Sequence, residues 1–387
     1  MTKLLTLWIW TGFFLRLSNA LVNGFLGGSF GAGEDAHGFH MSAVEHSKDL
    51  VFDGFVTGWI YSYILGVFYF LTTDSLFLGS ALSVLGWLVS AFILVRIMRI
   101  LSFDMSSQWK VMFIYSFLPS SIMYTSITLR EPFQLLFVNL AIYAALKIYN
   151  HRPAIHWLVL FGSVACMGAL HGALLASGVF MIIGTLFILR SKNGKDTSIV
   201  KVFLITPVMI FFLYYSFLLF TSISYNMDSG LATVVQSYQE TLITYGGRAL
   251  YRTEIEINGL GSFILLMPYF LFQYLFEPML WHMSSLVDVV ALLENVLRFW
   301  LILNALKYLL GTLRRKPKFV ASKLFWNRKF IFFIFLSFLI MESIWSLGTT
   351  NWGTSIRHHL PSLGLILLAS FAYQNVTTLK CNRSNKY

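Results

Sequence analysis

The sequence has 387 residues, of which 57% are hydrophobic and only 12% are charged, and it contains 37 phenylalanines. Soluble domains carry about 25% charged residues, because their surfaces must face water. The composition therefore excludes a soluble enzyme, a disordered chain and an ordinary nucleic-acid-binding protein. It predicts an all-α, polytopic membrane protein that forms a single integral membrane domain over residues 1–387.

Ten apolar runs are candidates for crossing a bilayer: 4–23, 76–97, 111–128, 132–148, 155–170, 172–190, 199–219, 285–310, 330–347 and 359–376. Two further stretches, 55–72 and 262–281, are ambiguous, and prolines interrupt the second. The run 155–190 is too long for one span and breaks at His171, which predicts a tight helical hairpin. We therefore expect about ten spans and two interfacial or re-entrant segments.

Charge indicates the orientation. With ten spans, most of the 28 basic residues lie in the loops of one side, and nearly all of the 17 acidic residues lie on the other. The positive-inside rule then places both termini in the cytoplasm. If the two ambiguous stretches also spanned, this bias would be lost for several basic loops.

Two loops on the outer side are long enough to be functional. The first covers 24–73 and contains the interfacial stretch 55–72, which we expect to be helical. The second covers 221–284 and contains the stretch 262–281. Both are rich in aromatic residues, which favours folded loops that lie against the membrane.

The first loop carries an acidic and histidine-rich motif. In a helix that begins at Asp35, the side chains of Asp35, Phe39, Ala43 and His46 share a face, with His40 beside it. Carboxylates next to imidazoles serve as a general base or bind a divalent cation, so Glu34 and Asp35 are candidates. The alternative is an aspartate that caps the helix among solvated histidines.

A second motif, Arg130-Glu131-Pro132, joins two predicted spans on the outer side. Pro132 suits the first turn of the following helix, and Glu131 suits its positive end. Arg130 is able to hold a phosphate in a bidentate manner. The alternative is a helix cap next to an arginine that reaches the membrane surface.

A third motif joins the last two spans and contains Arg357, His358 and His359 among glycines and hydroxyl residues. An arginine and two imidazoles are groups that bind a phosphate, form hydrogen bonds or ligate a metal. The alternative is a short polar turn with interfacial anchors. Within a neighbouring span, Glu294 and Arg298 are spaced to pair at i, i+4.

Taken together, the first span, the outer loop "ED-A-H-G-F-H-x-x-A" and the Arg-Glu pair resemble the polytopic glycosyltransferases of the GT-C superfold. The resemblance covers the first ~135 residues best and departs at Phe39, where the family usually has a more tyrosine-like residue. It implies a GT-C-like fold and a polyprenyl-phosphate-linked sugar donor, with a glycan or lipid-linked acceptor. Nucleic acid is not an expected partner.

The resemblance also implies roles for the motif residues. Asp35, with Glu34, matches the catalytic base or metal ligand of the first outer loop, and Glu131 matches the assisting acid of the second. Asp35 and Glu131 would hold any divalent metal, Mg²⁺ or Mn²⁺. The substrate phosphate and its surroundings would be bound by a further set of residues: Arg130, Arg357, His358, His359, His40 and His171.

Two short stretches, "NWGTSIRHHLP" at 351–361 and "LFEPMLW" at 275–281, resemble membrane proteins of bacterial surface-polysaccharide clusters. Some of those are O-antigen or capsule polymerases of the Wzy type. This similarity implies a bacterial inner membrane and keeps a repeat-unit polymerase open as an alternative.

Two other classes of function also stay open. A flippase or transporter of lipid-linked saccharide would more often show repeats and ionisable residues at mid-membrane, whereas here such residues are predicted mainly at the outer boundary. A membrane acyltransferase would need an embedded histidine, for which His156 and His171 are the candidates.

Overall fold

The computed structural model describes residues 3–27, 33–50, 60–151, 154–192, 249–251, 260–313 and 322–372. The predicted span 199–219, most of the second outer loop and the C-terminal tail lie outside these residues. The helices of the described part are α1 Lys3–Leu26, α2 Gly33–Asp49, α3 Ile60–Leu71, α4 Leu76–Ile100, α5 Met105–Phe117, α6 Pro119–Tyr124, α7 Glu131–His151, α8 Ile155–Leu170, α9 Gly172–Lys192, α10 Leu260–Phe276, α11 Leu286–Leu313, α12 Ser322–Gly348, α13 Trp352–His358 and α14 Leu363–Ala372. A 3₁₀ turn at Leu280–His282 joins α10 to α11.

The protein is a helical membrane protein. Among the described residues, five helices are long and apolar enough to cross a bilayer, namely α1, α4, α7, α9 and α12. In addition to these helices, the described residues contain one isolated β-bridge, between Leu250 and Asn351. The break predicted at His171 is confirmed, because α8 ends at Leu170 and α9 begins at Gly172.

The described parts of the two ambiguous stretches, 60–72 and 262–281, form short helices. Helix α3 has 12 residues, which corresponds to about 18 Å and is too short to cross a hydrocarbon core of about 30 Å. It packs against α2 to form a hairpin, which in turn contacts α4 and α8. Helix α10 has 17 residues and contains Pro268, and it ends before Glu277.

The predicted span 111–128 is broken in two. Helix α5 ends at Phe117, and α6 begins at Pro119, which has no N–H and cannot continue the α5 hydrogen-bond ladder. The carbonyl oxygens freed at the end of α5 are bound by Arg16, whose Nη1 donates to Ser116 O at 2.8 Å. The sequence analysis missed the break because it joined the apolar residues of α5 to the mixed apolar and hydroxyl residues that follow Pro119.

Arg16 is fully buried in the middle of α1. Its guanidinium also donates to Thr125 Oγ1 at 2.7 Å and Ser121 Oγ at 2.9 Å, and it lies 3.7 Å from the ring centroid of Trp87. A charge inside a membrane bundle must be surrounded by polar groups, and here backbone carbonyls and hydroxyls supply them. Arg16 thereby joins α1, α4, α5 and α6.

The main core lies where α1, α4, α7, α8, α9 and α12 pack side by side. Its largest fully buried residues include Trp87, Tyr115 and Phe338. A small polar group within it is formed by Ser90, Tyr115 and Asn139, whose hydroxyl and amide groups bind one another. This core holds the ends of the long helices in fixed relative positions.

We predict that Arg16→Met lowers the free energy of unfolding by about 2–4 kcal/mol, because carbonyls at the end of α5 lose their donor. Thermal unfolding in detergent measures the change. Arg96→Met is the matched control, since Arg96 is exposed on α4. Equal loss in both variants would contradict a structural role for Arg16.

Candidate functional site

Several chain turns meet at one end of the helix bundle. Arg130, directly before α7, donates from Nη1 to the carbonyl oxygen of Leu170 at the end of α8, at 3.3 Å. The ring of His171 lies 4.3 Å from the ring of Trp345, near the end of α12. The hairpin tip and the second and third motifs therefore share this end of the molecule.

A small apolar cluster brings the three motifs together. Ala36 follows Asp35, Leu129 precedes the Arg-Glu pair, and Ile356 precedes Arg357; all three apolar residues are buried in this cluster. Its other buried members are Tyr124, Ile127, Ala291 and Leu360. Because the apolar neighbours pack together, the charged residues beside them are held at the edge of the cluster.

Arg357 lies between the acids of the first two motifs. Its Nη1 donates to Oδ2 of Asp35, and its Nε lies 3.1 Å from Oε1 of Glu131. The arginine is in the last turn of α13, whose N-terminus is capped by Asn351 through a 2.9 Å bond from the Thr354 N–H. One guanidinium thus connects α2, α7 and α13, and we call these three charged residues the Arg357 site.

The two carboxylates of the Arg357 site differ in exposure. The side chain of Asp35 is 54% exposed, whereas that of Glu131 is 1% exposed. Oε2 of Glu131 has no hydrogen-bond partner within the described residues. Burial disfavours the charged guanidinium, but Glu131 and Asp35 outweigh it and raise the pKa of Arg357 above its ordinary value. The site therefore offers a fixed cation, an accessible base and a buried acceptor.

Two imidazoles in contact with one indole adjoin the Arg357 site. The Trp345 ring stacks on the His358 ring at a centroid distance of 3.9 Å, and His171 contacts the same indole. The N–H of Ala173 donates to Nδ1 of His171 at 3.2 Å, so the ring proton of neutral His171 is on Nε2. Trp345 was not a sequence candidate, because a tryptophan near the end of an apolar span is typical of an interfacial anchor.

Burial keeps both histidines that contact Trp345 neutral. The pKa of His358 is lowered well below its ordinary value by burial and then by the charge of Arg357. The pKa of His171 is lowered in the same way by burial, followed by Arg130 and Arg357. Arg130 and Arg357 therefore stand beside two imidazoles that add no positive charge.

The other predicted residues lie at varying distances from the Arg357 site. Arg130 contacts it indirectly, since its guanidinium lies 5.5 Å from the ring centroid of Phe39 on α2. Glu34 is exposed, and Arg357 binds Asp35 instead. His40 binds the hydroxyl of Tyr69 through Nδ1 at 2.8 Å. Burial, followed by His37, lowers the pKa of His40.

His359 points away from the Arg357 site. Its Nδ1 contacts the carboxylate of Glu342, and its Nε2 lies 3.1 Å from the carbonyl oxygen of Tyr274. The sequence analysis missed Glu342, although a lone acid inside an apolar span is itself a signal. The two adjacent histidines of the third motif therefore contact different groups.

The predicted pair of Glu294 and Arg298 is not formed. Oε1 of Glu294 accepts the N–H of Ser120 at 2.8 Å, and Arg298 donates from Nη1 to the Leu275 carbonyl and to Asn295. A backbone N–H of α6 therefore takes Glu294, while a carbonyl of α10 and the Asn295 side chain take Arg298. Ionisable side chains therefore lie deeper in the bundle than the sequence analysis expected.

The donor set of the Arg357 site does not suit a divalent metal in this arrangement. The guanidinium occupies the space between Asp35 and Glu131, where a cation would have to bind both carboxylates. Across the described ranges, no group of three or more histidine, cysteine or acidic side chains is placed to hold a metal ion. A role for Mg²⁺ or Mn²⁺ stays a prediction.

Compared with models of protein families, with curated proteins and with solved structures, the chain matches none of them.

We predict that the protein loses stability on acidification below about pH 6.5, the ordinary pKa of histidine. The pKa of His171 and His358 is lower in the folded chain, so the unfolded chain binds more protons in this range. Each histidine contributes up to about 1.4 kcal/mol per pH unit. Thermal unfolding measured across this range should show a smaller pH slope in His358→Asn. The exposed His37→Asn should keep the wild-type slope, and equal slopes in all three proteins would contradict the assignment.

Proposed function

We propose that the protein is a membrane glycosyltransferase that takes a sugar or oligosaccharide from a polyprenyl-phosphate carrier during surface-polysaccharide synthesis. The observation that supports this most is the Arg357 site, where one buried cation stands between an accessible and a buried carboxylate. Transfer from a phosphate carrier needs a base for the acceptor hydroxyl and a counter-charge for the leaving phosphate. The Arg357 site contains both.

The proposed step uses these residues in defined roles. Asp35, which reaches water, accepts the proton of the acceptor hydroxyl. The acceptor oxygen forms a bond to the anomeric carbon, and the bond from that carbon to the carrier phosphate breaks. The phosphate leaves with the electron pair, and Arg357 neutralises its charge. The free Oε2 of Glu131 accepts a hydrogen bond from the bound acceptor, and water later removes the proton from Asp35.

The proposal includes the membrane setting derived from the sequence. The fold is GT-C-like, with about ten spans, and both termini are cytoplasmic. The Arg357 site then faces the outside of a bacterial inner membrane, where the carrier head group and the glycan or lipid-linked acceptor meet. Arg130, His171 and His358 line the phosphate side, and His40 lies farther along α2.

The test is to delete the gene in its host and to measure the mass of the lipid-linked saccharide that accumulates. An incomplete repeat, or a glycan that lacks one branch sugar, supports a monosaccharide transferase. A complete single repeat on the outer face supports the alternative, a Wzy-type polymerase that uses the same site. Unchanged lipid-linked glycans would contradict both.

We predict that Asp35→Asn and Glu131→Gln, expressed in the deletion strain, reduce product by about 10²–10⁴-fold, the usual contribution of general acid–base catalysis. Membrane insertion should be unchanged in both. Glu45→Gln is the matched control, because Glu45 is an exposed acid on the same helix as Asp35. Full product from both site variants would remove the catalytic assignment.

A second candidate is a flippase or transporter of the same lipid-linked saccharide. It is favoured by the ionisable side chains buried within long helices, Arg16, Arg298 and Glu342 among them. Such residues often mark a transport path. For this function, the deletion strain would accumulate a complete repeat unit on the cytoplasmic face. Asp35→Asn would leave the amount of product unchanged.

A further inference from the structure

A second polar network lies close to the Arg357 site. Its centre is Glu342, a fully buried acid of the membrane-spanning helix α12. Oε2 of Glu342 contacts Nδ1 of His359, and Oε1 accepts a hydrogen bond from Oγ of Ser362. His359 and Ser362 belong to the turn between α13 and α14. The carboxylate therefore fastens this turn to α12 at two points.

The contacts define where the protons of the network are. Nε2 of His359 faces the Tyr274 carbonyl oxygen, so this nitrogen carries a proton. Nδ1 of the same ring faces the Glu342 carboxylate. The hydroxyl of Ser362 faces the acid and not the imidazole, so the three residues do not form a nucleophilic triad. The three residues instead anchor the turn between α13 and α14 to α12.

The anchored turn carries the C-terminus of α13. This helix has only seven residues, and helices of that length are unstable without outside contacts. Asn351 caps its N-terminus, whereas at the other end the His359 N–H donates to Ser355 O and the Leu360 N–H to Arg357 O. The backbone of Arg357 is thus hydrogen-bonded to the segment that Glu342 holds.

We infer that Glu342 is a positioning residue for Arg357: through His359 and Ser362, it keeps the guanidinium between Asp35 and Glu131. The catalytic importance of that position rests on the proposed function, but the position itself does not. Glu342 touches none of the three charged groups of the Arg357 site, so its effect on them must pass through the turn.

The experiment measures the rate at which phenylglyoxal modifies each arginine of the full chain in detergent, by mass spectrometry of peptides. Arg357 is paired and nearly buried, so it reacts slowly in the wild type, and Asp35→Asn provides the reference for a partly released guanidinium. In Glu342→Leu, we expect Arg357 to react about tenfold faster, the order expected for losing a buried charge-assisted hydrogen bond. Arg16 reports on the global fold, and its rate should not change.

Two further variants make the test specific. Glu342→Gln retains an oxygen for Ser362 and an N–H for His359, so its Arg357 rate should stay within about twofold of the wild type. Glu294→Leu removes another buried carboxylate, one that binds Ser120 and not the turn, and should also leave the rate unchanged. If Glu342→Leu does not fold, Ser362→Ala should still raise the rate by about threefold.

The inference is overturned by any of three results: an unchanged Arg357 rate in the variants that break the network, a parallel rise at Arg16, or a rise in Glu342→Gln as large as in Glu342→Leu. Because no sugar donor is used, these results are independent of the outcome of the gene deletion. A failure of the proposed function would leave the positioning of Arg357 intact.

Discussion

The contact of Arg357 with two carboxylates is the interaction on which the proposed active end of the molecule depends. In surroundings of low dielectric constant, a buried charge is costly unless it has a partner, and removing one partner leaves the other uncompensated. Asp35, Glu131 and Arg357 come from three distant parts of the chain, and the apolar residues beside them form one cluster. Packing therefore brings the charges together, and the charges in turn fix the packing of α2 against α7 and α13. A ligand phosphate would exchange places with a carboxylate as the partner of the same cation.

The same requirement explains why the buried polar groups gather at helix breaks. Backbone groups inside a bilayer must be satisfied by the protein, so a break is tolerated only where side chains supply hydrogen bonds. Arg16 binds the carbonyls at the α5–α6 break, and Arg130 binds a carbonyl at the end of α8. Glu342 holds the turn between α13 and α14. Tyr124 at the end of α6, Ile127 just after it, and Leu360 in the turn after α13 belong to the apolar cluster beside the Arg357 site.

Much of the site could be predicted from residue types at the ends of apolar runs. Asp35, Glu131 and Arg357 were identified there because carboxylates beside imidazoles and arginines at the ends of spans are suited to acid–base chemistry and phosphate binding. Their mutual pairing could not be predicted, since it depends on how distant segments pack. Hydropathy gave the positions of α1, α4, α7, α9 and α12 but not the break at Pro119, because it measures polarity and not hydrogen bonding. Adjacent histidines also look equivalent in sequence, yet His358 faces Trp345 and His359 faces Glu342.

The most direct test of the account is to compare the binding of a polyprenyl phosphate with that of the uncharged polyprenol to the purified protein in lipid nanodiscs. If Arg357 receives the carrier phosphate, the wild type binds the phosphate more tightly, and Arg357→Ala loses about 10–100-fold of that affinity, while its binding of the alcohol is unchanged. Arg96→Ala, an exposed arginine on α4, should behave as the wild type. Equal affinity for phosphate and alcohol in the wild type, or no loss in Arg357→Ala, would contradict the account.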